Sequence, residues 1–394
     1  MPQIVWTSRR LALALLVVLA GCQDNSESPT APEPAPALAA ATTAVLAFTQ
    51  VSAGLFHSCG LAPGNRAYCW GATSAGDSPT PVAVVGGLQF IQVSAGSNHT
   101  CGVAADARAY CWGDNQFGVL GDGTETARLG PVLVAGGHHW QNVRAGHLHS
   151  CGVTTSGEAY CWGYNKYGQL GDGSDFVRRL RPVLVAGGRL YRRVSPGGLH
   201  TCGVTTTNRA YCWGLGEQGQ IGDGKTFQRR TPRLVAGGLS WRQVVASGAF
   251  HSCGITWDHR AYCWGSNGHG QLGIGTTNPL VCCLTPMAVA GDRQFANISA
   301  GGEYTCGVTI AHVALCWGDN SRGNLGDGTT IERNKPRAVA GGLSWSGVSA
   351  GFGGHACGVT TVSRAYCWGG NQFGELGDGT TDPRLTPVPV VGPM

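Results

Sequence analysis

The sequence predicts an all-β protein, a seven-bladed β-propeller whose blades each contain four strands. Three observations predict this fold. The tripeptide Cys-Trp-Gly occurs seven times, at intervals of 42 to 53 residues. Each full repeat holds four strand-length segments separated by glycine-rich turns. Glycine is abundant, with 64 copies, and charged residues make up only 12% of the chain, which suits short strands joined by tight turns.

The first 21 residues are predicted to be a lipoprotein signal peptide. Arg9 and Arg10 precede the apolar residues 11–20, which are too few for a permanent membrane-spanning helix. The segment ends in Leu-Ala-Gly-Cys, which resembles the bacterial lipobox. This resemblance implies that Cys22 is lipidated and becomes the N-terminus. The alternative is an ordinary signal peptide that ends near an unmodified cysteine.

Residues 22–44 are predicted to be the lipidated Cys22 and a Pro/Ala-rich tether, and residues 45–394 the propeller. An extended tether of about 22 residues would reach roughly 70 Å. In lipoproteins that this segment resembles, an Asp directly after the Cys favours the inner membrane, whereas here Gln23 holds that place. We therefore expect an exported protein that is lipid-anchored at the bacterial cell envelope, with the outer membrane preferred. The lipid is the only membrane contact expected.

Each repeat contains two cysteines ten residues apart. A hairpin turn such as residues 154–158 lies between them, which places both cysteines on adjacent antiparallel strands within disulfide reach. An exported protein favours oxidation, and this spacing resembles no zinc site. We predict one cross-strand disulfide within every blade: Cys59 with Cys69, Cys101 with Cys111, Cys151 with Cys161, Cys202 with Cys212, Cys253 with Cys263, Cys306 with Cys316, and Cys357 with Cys367.

Two further cysteines, Cys282 and Cys283, stand outside this pattern. They are predicted to lie in the longest loop between blades. Two interpretations stay open, a strained vicinal disulfide and a pairing between molecules.

The phase of the repeats predicts how the ring closes. The first repeat starts at residues 50–52 without a leading Pro-Val strand, and residues 387–391 supply a spare one at the other end. We predict that the C-terminal strand completes the first blade and closes the ring, so that no sheet edge is left open at the junction.

These motifs resemble the repeats of the regulator of chromosome condensation family, whose fold is a seven-bladed propeller. The matching elements are Ala-Gly-x-x-His-x-Cys-Gly, Ala-Tyr-Cys-Trp-Gly and Asn-x-x-Gly-x-Leu-Gly-Asp-Gly, within residues 48–392. The eukaryotic founder of the family is a nucleotide-exchange factor that uses a wedge inserted into one blade. Here the intervals between Trp-Gly and the next Pro strand are short, and the protein is predicted to be exported. We therefore expect no nucleotide-exchange activity.

Residues that occur once per repeat are interpreted as scaffold. A histidine lies two residues before the first Cys of six repeats, and Tyr304 takes its place in the other. We predict buried hydrogen bonds for these residues instead of a ring of metal ligands. Each Trp of Cys-Trp-Gly is predicted to pack between blades. The histidines are His57, His99, His149, His200, His251 and His355.

The Asp of each Leu-Gly-Asp-Gly segment is interpreted as a turn residue, because the segment lacks the alternating acidic ligands of a calcium loop. Motifs of a nucleophile elbow, a zinc protease and a phosphate-binding loop do not occur in the sequence. We therefore predict no catalytic residues, no metal, no cofactor and no enzymatic activity. The aspartates are Asp122, Asp172, Asp223, Asp327 and Asp378.

Two neighbouring repeats carry unusual segments, residues 174–181 and 225–233. Both combine arginines with a phenylalanine, and both are predicted to be loops on one rim of the propeller. Arginine and aromatic residues are favoured anchors at binding interfaces, although solvated arginines on ordinary loops are the plainer alternative. The candidate binding residues are Phe176, Arg178, Arg179, Arg181, Phe227, Arg229, Arg230 and Arg233.

The combined features favour a non-enzymatic scaffold that is held at the cell envelope and binds another protein, as a receptor-like module, an adaptor or an inhibitor. We expect a monomer. An exported address makes acidic protein, lipid or glycan a better ligand for the basic patch than nucleic acid. The alternative function is a carbohydrate-binding or enzymatic propeller with its site in the central funnel. A glycoside hydrolase would need two placed carboxylates, which the sequence does not indicate.

Overall fold

A computed structural model of the chain describes residues 46–392, apart from the side chains of residues 278–282. The chain folds into seven four-stranded antiparallel sheets, each built from four consecutive strands. The sheets surround a central cavity as the blades of a propeller, which confirms the predicted fold. Blade one contains β1–β4, and each later blade contains the next four strands, up to β25–β28 in blade seven.

The first strand of each blade, which we call the inner strand, lies beside the central cavity. A large apolar residue near its start, such as Trp140, and a valine three residues later, such as Val143, are buried against the neighbouring blade. The inner strands are β1 (Gln50–Ala53), β5 (Phe90–Ala95), β9 (Trp140–Ala145), β13 (Tyr191–Pro196), β17 (Trp241–Ala246), β21 (Phe295–Ala300) and β25 (Trp345–Ala350).

The second strand is buried along its whole length in every blade, because it lies between two other strands and between two adjacent blades. Its Cys-Gly step leaves room for an aromatic ring: a Cβ on Gly152 would lie 2.7 Å from the Trp140 ring. The second strands are β2 (His57–Ala62), β6 (His99–Ala104), β10 (His149–Thr154), β14 (His200–Thr205), β18 (His251–Thr256), β22 (Tyr304–Thr309) and β26 (His355–Thr360).

The third strand carries Cys-Trp-Gly and places its Cys directly opposite the Cys of the second strand. In blade three the Cα atoms of Cys151 and Cys161 are 4.1 Å apart. All seven predicted disulfides are formed in this way, one per blade. The third strands are β3 (Arg66–Thr73), β7 (Ala109–Gly113), β11 (Ala159–Tyr164), β15 (Ala210–Gly214), β19 (Ala261–Asn267), β23 (Ala314–Gly318) and β27 (Ala365–Gly369).

The fourth or outer strand contains the repeated proline, which valine follows in four blades, and forms the exposed edge of the blade. Proline and charged side chains are suited to such an edge, because they discourage pairing with another chain. The register to the third strand shifts at the glycine of Cys-Trp-Gly, where Gly163 has a φ of 102°. The outer strands are β4 (Gly76–Ala83), β8 (Arg128–Leu133), β12 (Arg178–Leu184), β16 (Arg229–Leu234), β20 (Asn278–Ala288), β24 (Arg333–Ala338) and β28 (Arg384–Pro389).

The predicted mode of ring closure is wrong. The C-terminal strand β28 pairs with β27 in its own blade, and blade one has its own outer strand, β4. The ring closes instead through backbone bonds of the N-terminal segment: the Phe48 amide donates to the Ser363 carbonyl, and the Phe352 amide to the Gly54 carbonyl. The reason is that each blade begins at its inner strand, so the Pro strand ends a repeat.

Adjacent blades are joined by the Trp of Cys-Trp-Gly, as predicted. The fully buried Trp162 of blade three packs among Val103 and Cys111 of blade two, and its Nε1 donates to the Val119 carbonyl of that blade at 2.8 Å. Gly121 admits this contact, since its φ is 70° and a Cβ there would lie 2.7 Å from the indole nitrogen. Each blade interface has an apolar core, and within the described part of the chain six of the seven have this hydrogen bond at the Trp, the exception being Trp112 between blades one and two.

The position predicted for Cys282 and Cys283 is also corrected. Both belong to the outer strand β20 and not to a loop, because that strand begins at Asn278. Cys283 is buried. The side chain of Cys282 lies outside the described residues, so the state of the pair stays a prediction.

Candidate binding surface on the loop rim

Two kinds of loop share one end of the propeller. The loop between the inner and second strands and the loop between the third and outer strands emerge together, as the bond from the Tyr164 amide to the Leu148 carbonyl in blade three shows. We call this end the loop rim. The candidate residues Phe176 and Phe227 lie on it, in adjacent blades three and four.

The long loop before the outer strand is held by an asparagine in its interior. In blade three the buried Asn165 accepts from the Leu170 amide and donates to the Phe176 carbonyl, both at 3.0 Å. Asn115, Asn320 and Asn371 make the same two contacts in other blades. These two bonds, which we call the asparagine clamp, fix the backbone of the loop. The residue whose carbonyl accepts from the asparagine, such as Phe176, points its side chain away from the clamp, and we call this place in the loop the displayed position.

The displayed side chain differs from blade to blade, and in blade four Gly216 replaces the asparagine, so the loop there lacks this clamp. The displayed side chain is Phe176 in blade three and Phe227 in blade four, both 62% exposed, and Ile331 in blade six, 59% exposed. Exposed large apolar side chains next to each other on a rigid surface indicate a contact site. The corresponding residues of blades two and seven, Thr126 and Asp382, are exposed and polar.

The Asp of Leu-Gly-Asp-Gly forms a turn, as predicted, and also an ion pair that the sequence reasoning missed. Asp327 accepts from the Thr329 amide at 3.0 Å and pairs with Arg333, the first residue of the outer strand, at 2.9 Å. Burial alone would raise the pKa of Asp327, but hydrogen bonds from Thr329 and Arg333 outweigh it and lower that pKa. The five pairs are Asp122–Arg128, Asp172–Arg179, Asp223–Arg229, Asp327–Arg333 and Asp378–Arg384.

These pairs change the interpretation of the predicted patch. Arg179 and Arg229 are the blade-three and blade-four members of this repeated pair, so their first role is structural. Each guanidinium also lies over the phenylalanine of its own loop, at 4.1 Å from the Phe176 centroid and 5.8 Å from the Phe227 centroid. The arginine and phenylalanine pattern of the two segments therefore combines a recurring scaffold arginine with a phenylalanine that is specific to the blade.

Two more arginines of the patch bind the preceding blade. Arg178 pairs with Glu125 of blade two at 2.8 Å, and Arg230 pairs with Asp175 of blade three at 3.1 Å. Both pairs connect the loop of one blade to the outer strand of the next. They are exposed ion pairs that link the loop rim of blades two, three and four.

The patch arginines lie in strands, which corrects the prediction that their segments are loops throughout. Strands β12 and β16 start at Arg178 and Arg229, so only the phenylalanines and their neighbours are loop residues. Arg181 is exposed in β12. Arg233 is exposed opposite Cys212, near the middle of the blade edge and away from the rim.

The six repeated histidines are buried and form hydrogen bonds between blades, as predicted. His149 Nε2 shares a hydrogen bond with Thr201 Oγ1 of the next blade at 2.7 Å, and His355 with Ser58 at 2.9 Å across the ring junction. Burial, followed by the charges of neighbouring histidines, lowers the pKa of His149 to about 3. These rings are therefore neutral at physiological pH. The Tyr304 hydroxyl takes the equivalent role and donates to the His355 carbonyl.

One side-chain group on the loop rim has metal-ligand composition and was missed in the sequence. Ligand atoms of His269, Asp319 and Glu332 lie within 4.8 Å of one another, although 50 or more residues separate His269 from the others. The His269 nitrogens already contact Glu332 at 2.7 Å and Glu303 at 3.0 Å. The bond to Glu332 raises the pKa of His269, so this group is satisfied as an ion-pair cluster.

Comparison with known proteins identifies the family. The model of the RCC1-like domain matches residues 77–394, and that of the regulator of chromosome condensation (RCC1) repeat matches residues 48–76. The chain belongs to the RCC1-like domain family. Both the propeller fold and the repeat family expected from the sequence are thereby confirmed.

Curated RCC1-like relatives match part of the chain. The human E3 ubiquitin-protein ligase HERC2 is 29% identical over 207 residues, which are 51% of this chain and 4% of HERC2. The ultraviolet-B receptor UVR8 of Arabidopsis thaliana is 30% identical over 214 residues, which are 53% of this chain and 48% of UVR8. The chain thus spans less than half the length of these relatives, and the ligase name of HERC2 belongs to a protein of which it matches a small part.

Solved structures share the fold. Human WBSCR16 superimposes with a TM-score of 0.70 at 19% identity, covering 77% of this chain and 84% of that one. Yeast RCC1 (Prp20), solved with Kap60 bound, gives a TM-score of 0.71 at 18% identity, covering 89% and 86%. Among residues 46–392 of this RCC1-like chain, no helix is long and apolar enough to cross a membrane.

Proposed function

We propose that this protein is a non-catalytic propeller scaffold, exported and tethered at the bacterial envelope through lipidated Cys22, which binds a partner protein with the loop rim of blades three and four. One observation carries the proposal. Phe176 and Phe227 occupy the displayed position of adjacent blades, and each is 62% exposed. RCC1-like propellers that bind proteins, such as yeast RCC1 (Prp20) with Kap60, support the general role.

The surface is preorganised for binding. The Phe176 carbonyl is held by Asn165, and the Arg178–Glu125 and Arg230–Asp175 pairs connect the three blades that flank the two rings. Ordering loops and side chains is a large cost of association, so a surface ordered in advance loses less free energy on binding. The protein partner therefore meets a rigid rim with two protruding aromatic rings.

The ion pairs also predict the chemistry of the partner surface. Because Arg179, Arg229 and Arg230 are matched by carboxylates, the net charge of the patch is smaller than its sequence suggests. Recognition then rests on the phenylalanine rings and on Arg181, which is exposed in the same strand as Arg179. An apolar pocket bordered by carboxylates is the complementary surface.

The test is capture of partners from a bacterial envelope extract with residues 45–394 as bait. A Phe176→Ser, Phe227→Ser double variant removes the rings and leaves the Asp–Arg pairs intact. Ile331→Ser is the matched control, because Ile331 occupies the same displayed position in blade six and is 59% exposed. We expect a protein that wild type and the control retain and the double variant loses. Equal capture by all three baits would show that the partner binds a surface other than the one around Phe176 and Phe227.

The anchor is tested separately with Cys22→Ser in the full-length chain. We expect the wild-type chain to partition with membranes after fractionation and to enter the detergent phase, and the variant to remain in the aqueous phase. Detergent partitioning that does not depend on Cys22 would overturn lipidation at this residue without affecting the rim proposal.

A further inference from the structure

The central cavity contains two arginines but no opposite charge. It has a volume of about 410 Å³ and is lined mainly by the inner strands, with Arg144 of β9 and Arg193 of β13 on adjacent blades. Within the described part of the chain, no Asp, Glu or Lys lines this cavity. The two positive charges therefore share a confined polar space without a carboxylate partner.

Arg144 interrupts a ring of serines. At its position five other inner strands carry a serine whose Oγ accepts from the backbone amide of the next inner strand, for example Ser94 from the Ala145 amide at 3.2 Å. Arg144 would face Pro196, which has no amide hydrogen to donate. Both partners of the usual bond are thus changed at the same blade junction. The serines are Ser52, Ser94, Ser195, Ser299 and Ser349.

Arg193 interrupts a second ring, two residues earlier on the inner strand. Gln50, Gln92 and Gln243 hold this position in other blades, and each donates to a backbone carbonyl of the next inner strand at 2.6 to 2.8 Å. Arg193 replaces such a residue in blade four. Among the described residues its guanidinium has no hydrogen-bond or ion-pair partner. The two departures that introduce a charge thus occur in neighbouring blades and face the same cavity.

The scaffold does not need these charges. Arg144 Nε is buried without an acceptor, and burial together with the charge of Arg193 lowers the pKa of Arg144 to about 9, which leaves it cationic at neutral pH. Unpaired buried charge is unfavourable, and uncharged Ser and Gln serve the same positions elsewhere in the ring. A pair of such charges in a cavity is the arrangement expected of an anion site.

We propose that Arg144 and Arg193 form a binding site for a phosphate or sulfate group in the central cavity. Guanidinium groups match the oxygens of such anions with paired hydrogen bonds. Ser94 and Ser195 flank Arg144 in blades two and four, and each uses its Oγ to accept a backbone hydrogen bond. Their hydroxyl hydrogens point to no acceptor among the described residues, so they supply two further donors to the anion.

The site is independent of the proposed partner surface, since the cavity is lined by inner strands and Phe176 and Phe227 lie on the loop rim. Loss of protein capture in the phenylalanine variants leaves the anion site intact. Loss of anion binding in the arginine variants leaves the rim intact.

The test is isothermal titration calorimetry of the full-length chain in detergent, with inorganic phosphate at ionic strength held constant with sodium chloride. Arg144→Ser and Arg193→Gln restore the residue types found at the same positions in other blades, so both variants are expected to fold. Arg209→Gln is the matched control, because Arg209 is an exposed arginine of blade four outside the cavity. Sulfate, glycerol phosphate and acetate are titrated in parallel.

We expect saturable binding of one phosphate per chain, weakened about tenfold or more by either substitution, abolished by both together and unchanged in Arg209→Gln. Tighter binding of glycerol phosphate than of inorganic phosphate would identify a phosphomonoester as the ligand, and the reverse would identify the free ion. No saturable phosphate binding to wild type, equal affinity in the double variant, or equally tight binding of acetate would each overturn the proposal.

Discussion

The arginines at the start of the outer strands and the arginines of the central cavity are in opposite electrostatic situations. Arg333 on the outer strand binds Asp327, whose side chain is only 2% exposed, whereas Arg144 in the cavity has no carboxylate partner among the described residues. The outer-strand partner comes from the same repeat, six residues earlier. Among the described residues, no carboxylate lines the cavity. The residue type alone therefore does not indicate whether an arginine stabilises the fold or binds a ligand.

Acid should produce the largest effect, by protonating the six buried histidines. Burial lowers the pKa of His57 to about 4 and of His200 to about 3, whereas in the unfolded chain both titrate near 6.5. Below pH 6.5 the unfolded state binds more protons than the folded state. The free energy of unfolding is therefore highest above pH 6.5 and falls as the pH decreases below it. The expected loss is about 1.4 kcal/mol per histidine per pH unit.

The measurement is chemical denaturation at pH 7.5, 6 and 5. Six histidines together predict a loss on the order of 10 kcal/mol at pH 5, enough to unfold a typical domain. Differences between arginine variants should persist while the whole curve shifts. A free energy of unfolding that does not change between pH 7.5 and 5 would contradict the buried neutral ring.

The second effect in size concerns an outer-strand pair. Arg333→Gln removes the cation from the nearly buried Asp327 and should lower the free energy of unfolding by about 2 kcal/mol. Arg337→Gln is the control in the same strand, because Arg337 is exposed and has no ion-pair partner among the described residues; its effect should stay within about 0.5 kcal/mol. The free energies of unfolding are measured by urea denaturation. Similar losses in both variants would show that the ion pair with Asp327 does not make Arg333 more important for stability than Arg337.

The cavity arginine should behave in the opposite way. Arg144→Ser removes an unpartnered charge, so in phosphate-free buffer we expect stability to be unchanged or increased by about 1 kcal/mol. Adding Pro196→Ala restores the backbone amide that serines accept from in other blades. A double-mutant cycle should therefore show a favourable coupling of about 1 kcal/mol between the two substitutions. Strict additivity would mean that the serine bond is not re-formed.

The exposed pair between blades two and three should have the smallest effect. The Arg178 and Glu125 side chains are 50% and 38% exposed, so solvent and salt screen their attraction. Glu125→Gln should change the free energy of unfolding by less than about 0.5 kcal/mol, and the difference should disappear in 1 M sodium chloride. A larger loss that persists in high salt would show that this exposed pair stabilises the fold as the Asp–Arg pairs of the outer strands do.

Much of the scaffold could be predicted because its strand segments and its Cys pair are repeated seven times. The Cys pair predicted the register of the second and third strands, and the structure has Cys151 directly opposite Cys161. The phase of the blades could not be predicted in the same way, because a periodic sequence reads equally well from any starting strand. Only the pairing of β28 with β27 decided that the Pro strand ends a blade.

The candidate surface was predicted in part. Phe176 and Phe227 were recognised as unusual, and the structure displays both rings on the loop rim. The Asp–Arg pairs were missed although their signal is present in five repeats, as an arginine six or seven residues after the Asp. Unless the spacing from Asp to Arg is compared between repeats, Arg179 and Arg229 look like arginines without a carboxylate partner.

The sequence by itself determined the number of blades, the disulfide pairing and the residues that differ between repeats, because these depend on spacing along one chain. Only the tertiary structure decided which of those differences face the same space. Arg144 and Arg193 are 49 residues apart in the sequence and share a cavity because adjacent inner strands line it together. Whether a charge has a partner depends on the residues that surround it, and in a closed ring these come from neighbouring blades.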